Sequence, residues 1–152
     1  MKRIAVFLAL LAMQSSALAA CLSGNPTVRA EFEASPIVLI GRVLSENPVP
    51  ATKDYFEGEA YFIAVKEVLR GRAGKTISLF SENSSGRFPM KVGASYLLFL
   101  HKELGLWQVD NCGNSGLLSK SIAALGIVRS LHNEAQQATP ADRHPATRAA
   151  GG

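Results

Sequence analysis

SPIVLIGRVLSEN, residues 35–47, combines β-branched and apolar residues with a glycine, Gly41, in its interior. Such a composition is typical of a β-strand that is buried in a sheet. A glycine inside a strand indicates a β-bulge or a sharp bend in the chain. We therefore predict a strand over these residues that bends close to Gly41.

Four further segments carry strand patterns. Residues 59–71, EAYFIAVKEVLRG, contain aromatic and β-branched residues, and the turn that follows them leads into KTISLFS, residues 75–81, so these two segments predict a β-hairpin. Residues 94–102, ASYLLFLHK, form a nearly continuous apolar run, which predicts a strand that is buried on both faces. LWQVDN, residues 106–111, is the fifth predicted strand.

A helix is predicted after the strands, at about residues 118–132. Apolar residues recur there at spacings of three and four, as on one face of a helix: Leu118, Ile122, Leu125, Val128 and Leu131. Five strands with a closing helix predict a mainly β fold, a five-stranded Greek-key barrel of the OB type. A β-sandwich is the structural alternative, although it usually has about seven strands.

The first twenty residues have the pattern of a secretory signal peptide. Lys2 and Arg3 precede an apolar run at residues 4–13, and small residues follow at 17–19. The run is about half as long as the roughly twenty residues that a membrane-spanning helix needs. We therefore expect residues 1–20 to be removed and the rest of the chain to be exported, into the periplasm or out of the cell.

The expected mature chain is nearly neutral and has the length of one domain. Loss of Lys2 and Arg3 lowers the formal net charge from +4 to +2, which gives no support to nucleic-acid binding. We place the domain at residues 21–132. Residues 133–152, which contain Ala, Pro, Gly and polar residues without apolar periodicity, are predicted to be a disordered tail.

Several short motifs follow one another in a distinctive order along the predicted domain. They are C-x-S-x-x-P (21–26), F-x-A-S (32–35), V-L-I-G-R-V (38–43), V-K-E-V-L-R-G (65–71), V-G-A-S-Y-L-L-F (92–99) and D-N-C-G (110–113). This order resembles the netrin-like domain of the tissue inhibitors of metalloproteinases, and more closely the bacterial secreted members of that superfamily. The resemblance implies an OB-like barrel with flanking helices and a function in protein binding without catalysis.

The resemblance also implies a binding surface, which we call the amino-terminal edge and define by Cys21, Leu22 and Ser23. In the animal inhibitors the α-amino group and carbonyl of the first cysteine chelate the zinc of a metalloprotease, and the next side chain enters the specificity pocket. Those roles would fall to Cys21 and Leu22. The chain differs from the animal inhibitors at Ser23 and near Phe32, where they carry further cysteines. We expect the partner to be a protein, and the most specific candidate is a metalloprotease.

Cys21 has an alternative fate as a lipid anchor. The residues Leu-Ala-Ala-Cys at 18–21 resemble a bacterial lipobox, in which the cysteine thiol receives a diacylglycerol. Acyl chains stabilise membrane attachment by roughly 0.8 kcal/mol per buried methylene, so two or three chains would hold the protein on a membrane. The alternative function is therefore that of an outer-membrane lipoprotein with a structural or envelope-interaction role.

The cysteine count favours a disulfide instead. The chain has two cysteines, Cys21 and Cys112, and exported proteins with an even number usually pair them. This bridge would close a loop of about 92 residues. The family resemblance also implies that the first cysteine is bridged to a later segment. On the residues alone, both the disulfide and the lipid anchor remain open.

Residue patterns typical of catalysis are scarce in the sequence. No two of the three histidines, His101, His132 and His144, have metal-ligand spacing, and CGNSG at 112–116 does not match a nucleophile elbow. We therefore expect a protein that is not an enzyme and that has no cofactor.

Overall fold

The computed structural model describes residues 21, 24–54 and 57–137. The signal peptide predicted at 1–20 falls outside the described residues, as do residues 138–152 of the disordered tail that is predicted at 133–152. The fold is mainly β, with six antiparallel strands, a short amino-terminal helix and a longer carboxy-terminal helix. The strands are β1 Ile37–Val49, β2 Gly58–Arg70, β3 Thr76–Glu82, β4 Ser95–Glu103, β5 Leu106–Val109 and β6 Gly116–Leu117.

The five strands that the sequence predicts are confirmed, with small shifts of their ends. The two-residue strand β6, which pairs with β4, carries no sequence pattern of its own and was missed. The remaining strands lie in the order β3-β2-β1-β4-β5. Although β3 and β5 contact each other, no ladder joins them among the described residues, so the sheet is open and a closed barrel is not observed.

The bend predicted at Gly41 is confirmed. The pairing of β1 with β2 shifts register between Ile40 and Gly41, and it shifts twice more along β1. A Cβ atom at position 41 would collide with the side chain of Ile63 on β2 and crowd that of Leu39. Glycine at this position therefore allows two strands to approach where β1 changes direction.

The sheet has a hydrophobic cluster on each face. The inner cluster contains residues from five strands and Met90 from the loop before β4. Its members are Ile37, Leu39, Val43, Tyr61, Ile63, Leu79, Met90, Tyr96, Leu98, Leu100 and Val109. The helix-side cluster contains Phe32, Val38, Ile40, Leu69, Leu97, Phe99, Val128 and Leu131. Because β4 contributes alternate residues to both clusters, the prediction that residues 94–102 form a strand buried on both faces is confirmed.

Two helices cover the second of these clusters. Helix α1, Val28–Ala34, begins after Thr27, whose Oγ1 accepts a hydrogen bond from the Ala30 N–H, and places Phe32 against the sheet. Helix α2, Ile122–Gln137, follows a single 3-10 turn at Leu118–Lys120. No described helix is long and apolar enough to cross a membrane.

The predicted carboxy-terminal helix is confirmed, but its bounds and its apolar face differ from the prediction. It starts at Ile122 instead of about residue 118, and it runs to Gln137. The prediction that the disordered tail begins at residue 133 is therefore wrong for residues 133–137, which are helical. Val128 and Leu131 are buried as expected, whereas Ile122 is 73% exposed. Leu118 and Leu125 of the predicted face also pack against the helix-side cluster, so Ile122, at the start of the helix after the 3-10 turn, is the exception.

Candidate functional site

Cys21 and Cys112 form a disulfide, with their Cα atoms 5.7 Å apart. This confirms the pairing expected from the cysteine count and from the family resemblance. A diacylglycerol would need the same Sγ atom of Cys21 that the disulfide uses, so one molecule cannot carry both. The bridge attaches the start of the described chain to the β5–β6 loop, residues 110–115.

The β5–β6 loop is held by hydrogen bonds as well as by the disulfide. Asp110 Oδ1 accepts from the Cys112 N–H at 2.7 Å, and Ser115 Oγ accepts from the Phe99 N–H of β4 at 2.8 Å. The Asn111 side chain donates to the Ser85 carbonyl at 3.3 Å. Anchors on β4 and on the loop after β3 therefore fix Cys112, and through the disulfide they restrain Cys21.

Glu31 and Asn114 form a second connection between the amino-terminal segment and this loop. Glu31 Oε2 accepts two hydrogen bonds from Asn114, from its backbone N–H and from its side-chain amide, both at 2.6 Å. The same amide donates to the Pro26 carbonyl at 3.0 Å. Gly113 lies so close that a Cβ atom there would meet the Glu31 carboxylate. Helix α1, the segment before it and the loop are thus joined around one carboxylate.

The electrostatic environment of Glu31 follows from this packing. Burial raises the pKa of the Glu31 carboxyl above its ordinary value of 4.5, and the negative charge of Asp110 raises it further. The hydrogen bonds from Asn114 and the nearby His101 act in the opposite direction but do not cancel the effect of burial. The site thus places two carboxylates near each other, one of them partly shielded from water.

Replacing Glu31 with glutamine should change the pH dependence of stability. Because the folded pKa is raised, this carboxyl stabilises the fold most at low pH, and that contribution is lost as the pH rises through the folded pKa. Glu31→Gln keeps an oxygen acceptor but cannot ionise. Between about pH 4 and pH 7 the free energy of unfolding of the variant should therefore rise relative to that of the wild type.

Urea unfolding at a series of pH values checks this prediction. Glu31→Ala is the control: it cannot ionise either, so its stability should follow the same pH dependence as that of Glu31→Gln. It should lie about 1–3 kcal/mol lower throughout because it leaves the Asn114 donors unsatisfied. A difference between wild type and Glu31→Gln that is constant with pH would contradict the raised pKa.

Among the residues predicted for the amino-terminal edge, the structure describes only Cys21. Leu22 and Ser23 lie outside the described residues. The Cys21 carbonyl accepts a hydrogen bond from the Gly24 N–H at 3.0 Å. Glu31 and Asn114 were missed at the sequence level, because they are separated by 83 positions and no local pattern relates them.

A second group of ionisable side chains lies near the inner cluster. The buried Tyr61 hydroxyl donates to Glu46 at 3.4 Å and accepts from the Met90 N–H at 3.2 Å. A hydrogen bond with Glu46 raises the pKa of Glu59, which also pairs with Arg87 at 3.3 Å. These contacts join β1, β2 and the loop before β4, which gives Tyr61, Glu46 and Glu59 a structural role. Arg87 Nε is buried there without a hydrogen-bond partner among the described residues.

The histidines do not form a metal site in the described chain. His132 Nδ1 lies 2.6 Å from the Leu69 carbonyl, which can only accept, so the ring donates this bond and links α2 to β2. His101 lies on β4, apart from His132. Within residues 21, 24–54 and 57–137, no three His, Cys, Asp or Glu side chains are grouped so as to hold a metal ion.

A scan against protein-family models finds no model that matches the chain, and a search of curated proteins finds no similar sequence.

Proposed function

We propose that this chain is an exported, non-enzymatic domain that binds a protein partner through its amino-terminal edge. The observation that carries the proposal is the Cys21–Cys112 disulfide, which ties the start of the expected mature chain to the hydrogen-bonded β5–β6 loop. A chain terminus held in this way presents its backbone groups in a defined geometry. Such preorganisation favours binding because less conformational entropy is lost on association.

For the fold, we propose the netrin-like, OB-type barrel that the sequence resembles. The strand order β3-β2-β1-β4-β5 is the order of a five-stranded barrel opened between β3 and β5, and these two strands contact each other. The bent strand β1, which pairs with both β2 and β4, also supports this architecture. A fold does not by itself imply a function, so the binding proposal rests on the amino-terminal edge.

A zinc metalloprotease is the partner that this edge suits best. After cleavage between Ala20 and Cys21, the free α-amine and the carbonyl of Cys21 would both be able to bind zinc, whose catalytic sites keep an open coordination position. The Cys21 carbonyl oxygen, which accepts a hydrogen bond from the Gly24 N–H, has two lone pairs in all. Leu22 would then enter the pocket that selects the substrate side chain.

Inhibition of a panel of zinc endopeptidases tests this proposal. Protein that begins at Cys21 should inhibit at least one enzyme of the panel, and acetylation of its α-amine should abolish the effect because an amide nitrogen is a poor ligand. The matched control begins at Ala20, which retains the disulfide but moves the amine by one residue. Inhibition that is equal in all three proteins, or absent in all of them, would contradict the proposal.

The intact mass of the protein from its native host distinguishes the lipid-anchored alternative. Under the proposal, the mass corresponds to a chain that begins at Cys21, carries no acyl group and shows two alkylatable thiols only after reduction. Acyl chains together with a Cys112 that is alkylated without reduction would instead assign the chain to outer-membrane lipoproteins.

A further inference from the structure

A concavity of about 430 Å³ lies beside the β5–β6 loop, between α1 and β4. Its walls combine apolar groups with a few ionisable ones. The apolar lining includes Pro26, Ala30, Ala34 and Phe99, and the ionisable lining consists of Glu31, His101 and Asp110. Ligand sites in proteins commonly have this composition, in which apolar walls surround a small number of polar groups.

Although His101 lies near Glu31, neither carboxylate of this concavity belongs to an ion pair of the described chain. Its four ion pairs use other acids, namely Glu33, Glu59, Glu67 and Glu134. Glu31 Oε2 and Asp110 Oδ1 accept bonds from Asn114 and Cys112, while the second oxygen of Asp110 takes part in none of the described hydrogen bonds. His101 is the one basic side chain in the lining.

We propose that this concavity binds an arginine side chain of the protein partner that docks on the amino-terminal edge. The acidic pair supplies charge complementarity, and the alanines and Pro26 provide an apolar wall for the methylene stem. The guanidinium group carries five N–H donors in one plane, so it can reach carboxylates that belong to different elements. Lysine presents a single point charge and fits two separated acceptors less well.

The environment of Glu31 agrees with a cationic occupant. Burial and the charge of Asp110 both disfavour the ionised form of Glu31 in the free protein, as its raised pKa indicates. A guanidinium group placed between the two carboxylates would relieve their repulsion. The concavity is also continuous with the site already described, since Pro26 and Asp110 line it and belong to the segments that Asn114 and the disulfide join.

This inference rests on the proposed function only in assigning the arginine to the same partner. A titration with a small probe therefore tests the concavity separately. The probe is N-acetyl-arginine N-methylamide, and its control is the citrulline analogue, which has nearly the same shape but no charge. Amide NMR shifts are followed for Ala30, Gly113 and Asn114 in the full mature chain at one fixed pH.

The arginine probe should shift these three amides in a saturable manner, and the citrulline analogue should not. Asp110→Asn, which keeps an acceptor for the Cys112 N–H, should weaken binding by about tenfold, as expected for a charge-assisted hydrogen bond. Glu31→Gln is a second variant with the same expected direction. Well-dispersed spectra of both variants would show that the fold is retained.

Equal shifts with the two probes, or shifts that lie outside the concavity, would overturn the inference. Unchanged probe affinity in folded Asp110→Asn and Glu31→Gln would do the same. Amide shifts that depend on protein concentration alone would mean that a second copy of the chain occupies the concavity, which also overturns the assignment to a partner. If the arginine probe binds but the protein inhibits no protease, the concavity is supported as an arginine site and the protease proposal is contradicted.

Discussion

The double variant Cys21→Ser/Cys112→Ser should lose about 4–5 kcal/mol of unfolding free energy relative to the oxidised wild type. The bridge joins residues 91 positions apart, and in the chain-entropy model a cross-link of this span greatly restricts the unfolded chain. Neither cysteine belongs to the inner or the helix-side cluster, so the variant should still fold. Urea unfolding monitored by fluorescence measures the difference.

The reduced wild type is the matched control for this measurement. It has the same chain and the same core, so its stability should equal that of the double variant to within about 0.5 kcal/mol. A loss below about 1 kcal/mol in both proteins would mean that the β5–β6 loop is held mainly by its hydrogen bonds to Glu31, Phe99 and Ser85. Faster hydrogen exchange at residues 24–27 should accompany the loss of the bridge, because Asn114 would then be the main contact that restrains this segment.

Phe99→Ala should destabilise the fold by about 3–5 kcal/mol, the usual range for removing a fully buried phenylalanine. Phe99 is 1% exposed and packs in the helix-side cluster between β4 and the two helices. The substitution leaves a cavity beneath α1 and α2 that rigid strands cannot close. It also removes a wall of the concavity beside the β5–β6 loop.

Phe62→Ala is the matched control for this substitution. Phe62 is 42% exposed on β2, it lies in neither cluster, and its loss should cost well under the amount expected for Phe99. Thermal and urea unfolding of both variants measure the contrast. Similar losses in the two variants would show that the helices contribute little to the stability of the sheet.

These predictions connect stability to the proposed binding site. The N–H of Phe99 donates to Ser115, so the strand that forms the centre of the core also holds the loop that carries Cys112. Cys112 in turn holds Cys21. Cys21 is therefore supported by rigid elements, although it lies at the start of the expected mature chain.

Local residue patterns were sufficient for most of the secondary structure. Hydrophobic periodicity and composition predict the five main strands and the carboxy-terminal helix. They also predict the two-sided burial of β4 and the bend at Gly41. Each of these features depends on residues that are neighbours in sequence. Helix α1 was not predicted from the residue pattern. Its signal was short, an N-terminal Thr27 followed by seven residues with no repeated apolar face.

Tertiary structure alone decided the features that join distant residues. The sequence left Cys21 open to a lipid or a disulfide, and only the approach of the β5–β6 loop selects Cys112 as its partner. The same holds for the hydrogen bonds between Glu31 and Asn114 and for the exposure of Ile122. These outcomes depend on how strands and loops pack in space, which periodicity along the chain does not encode.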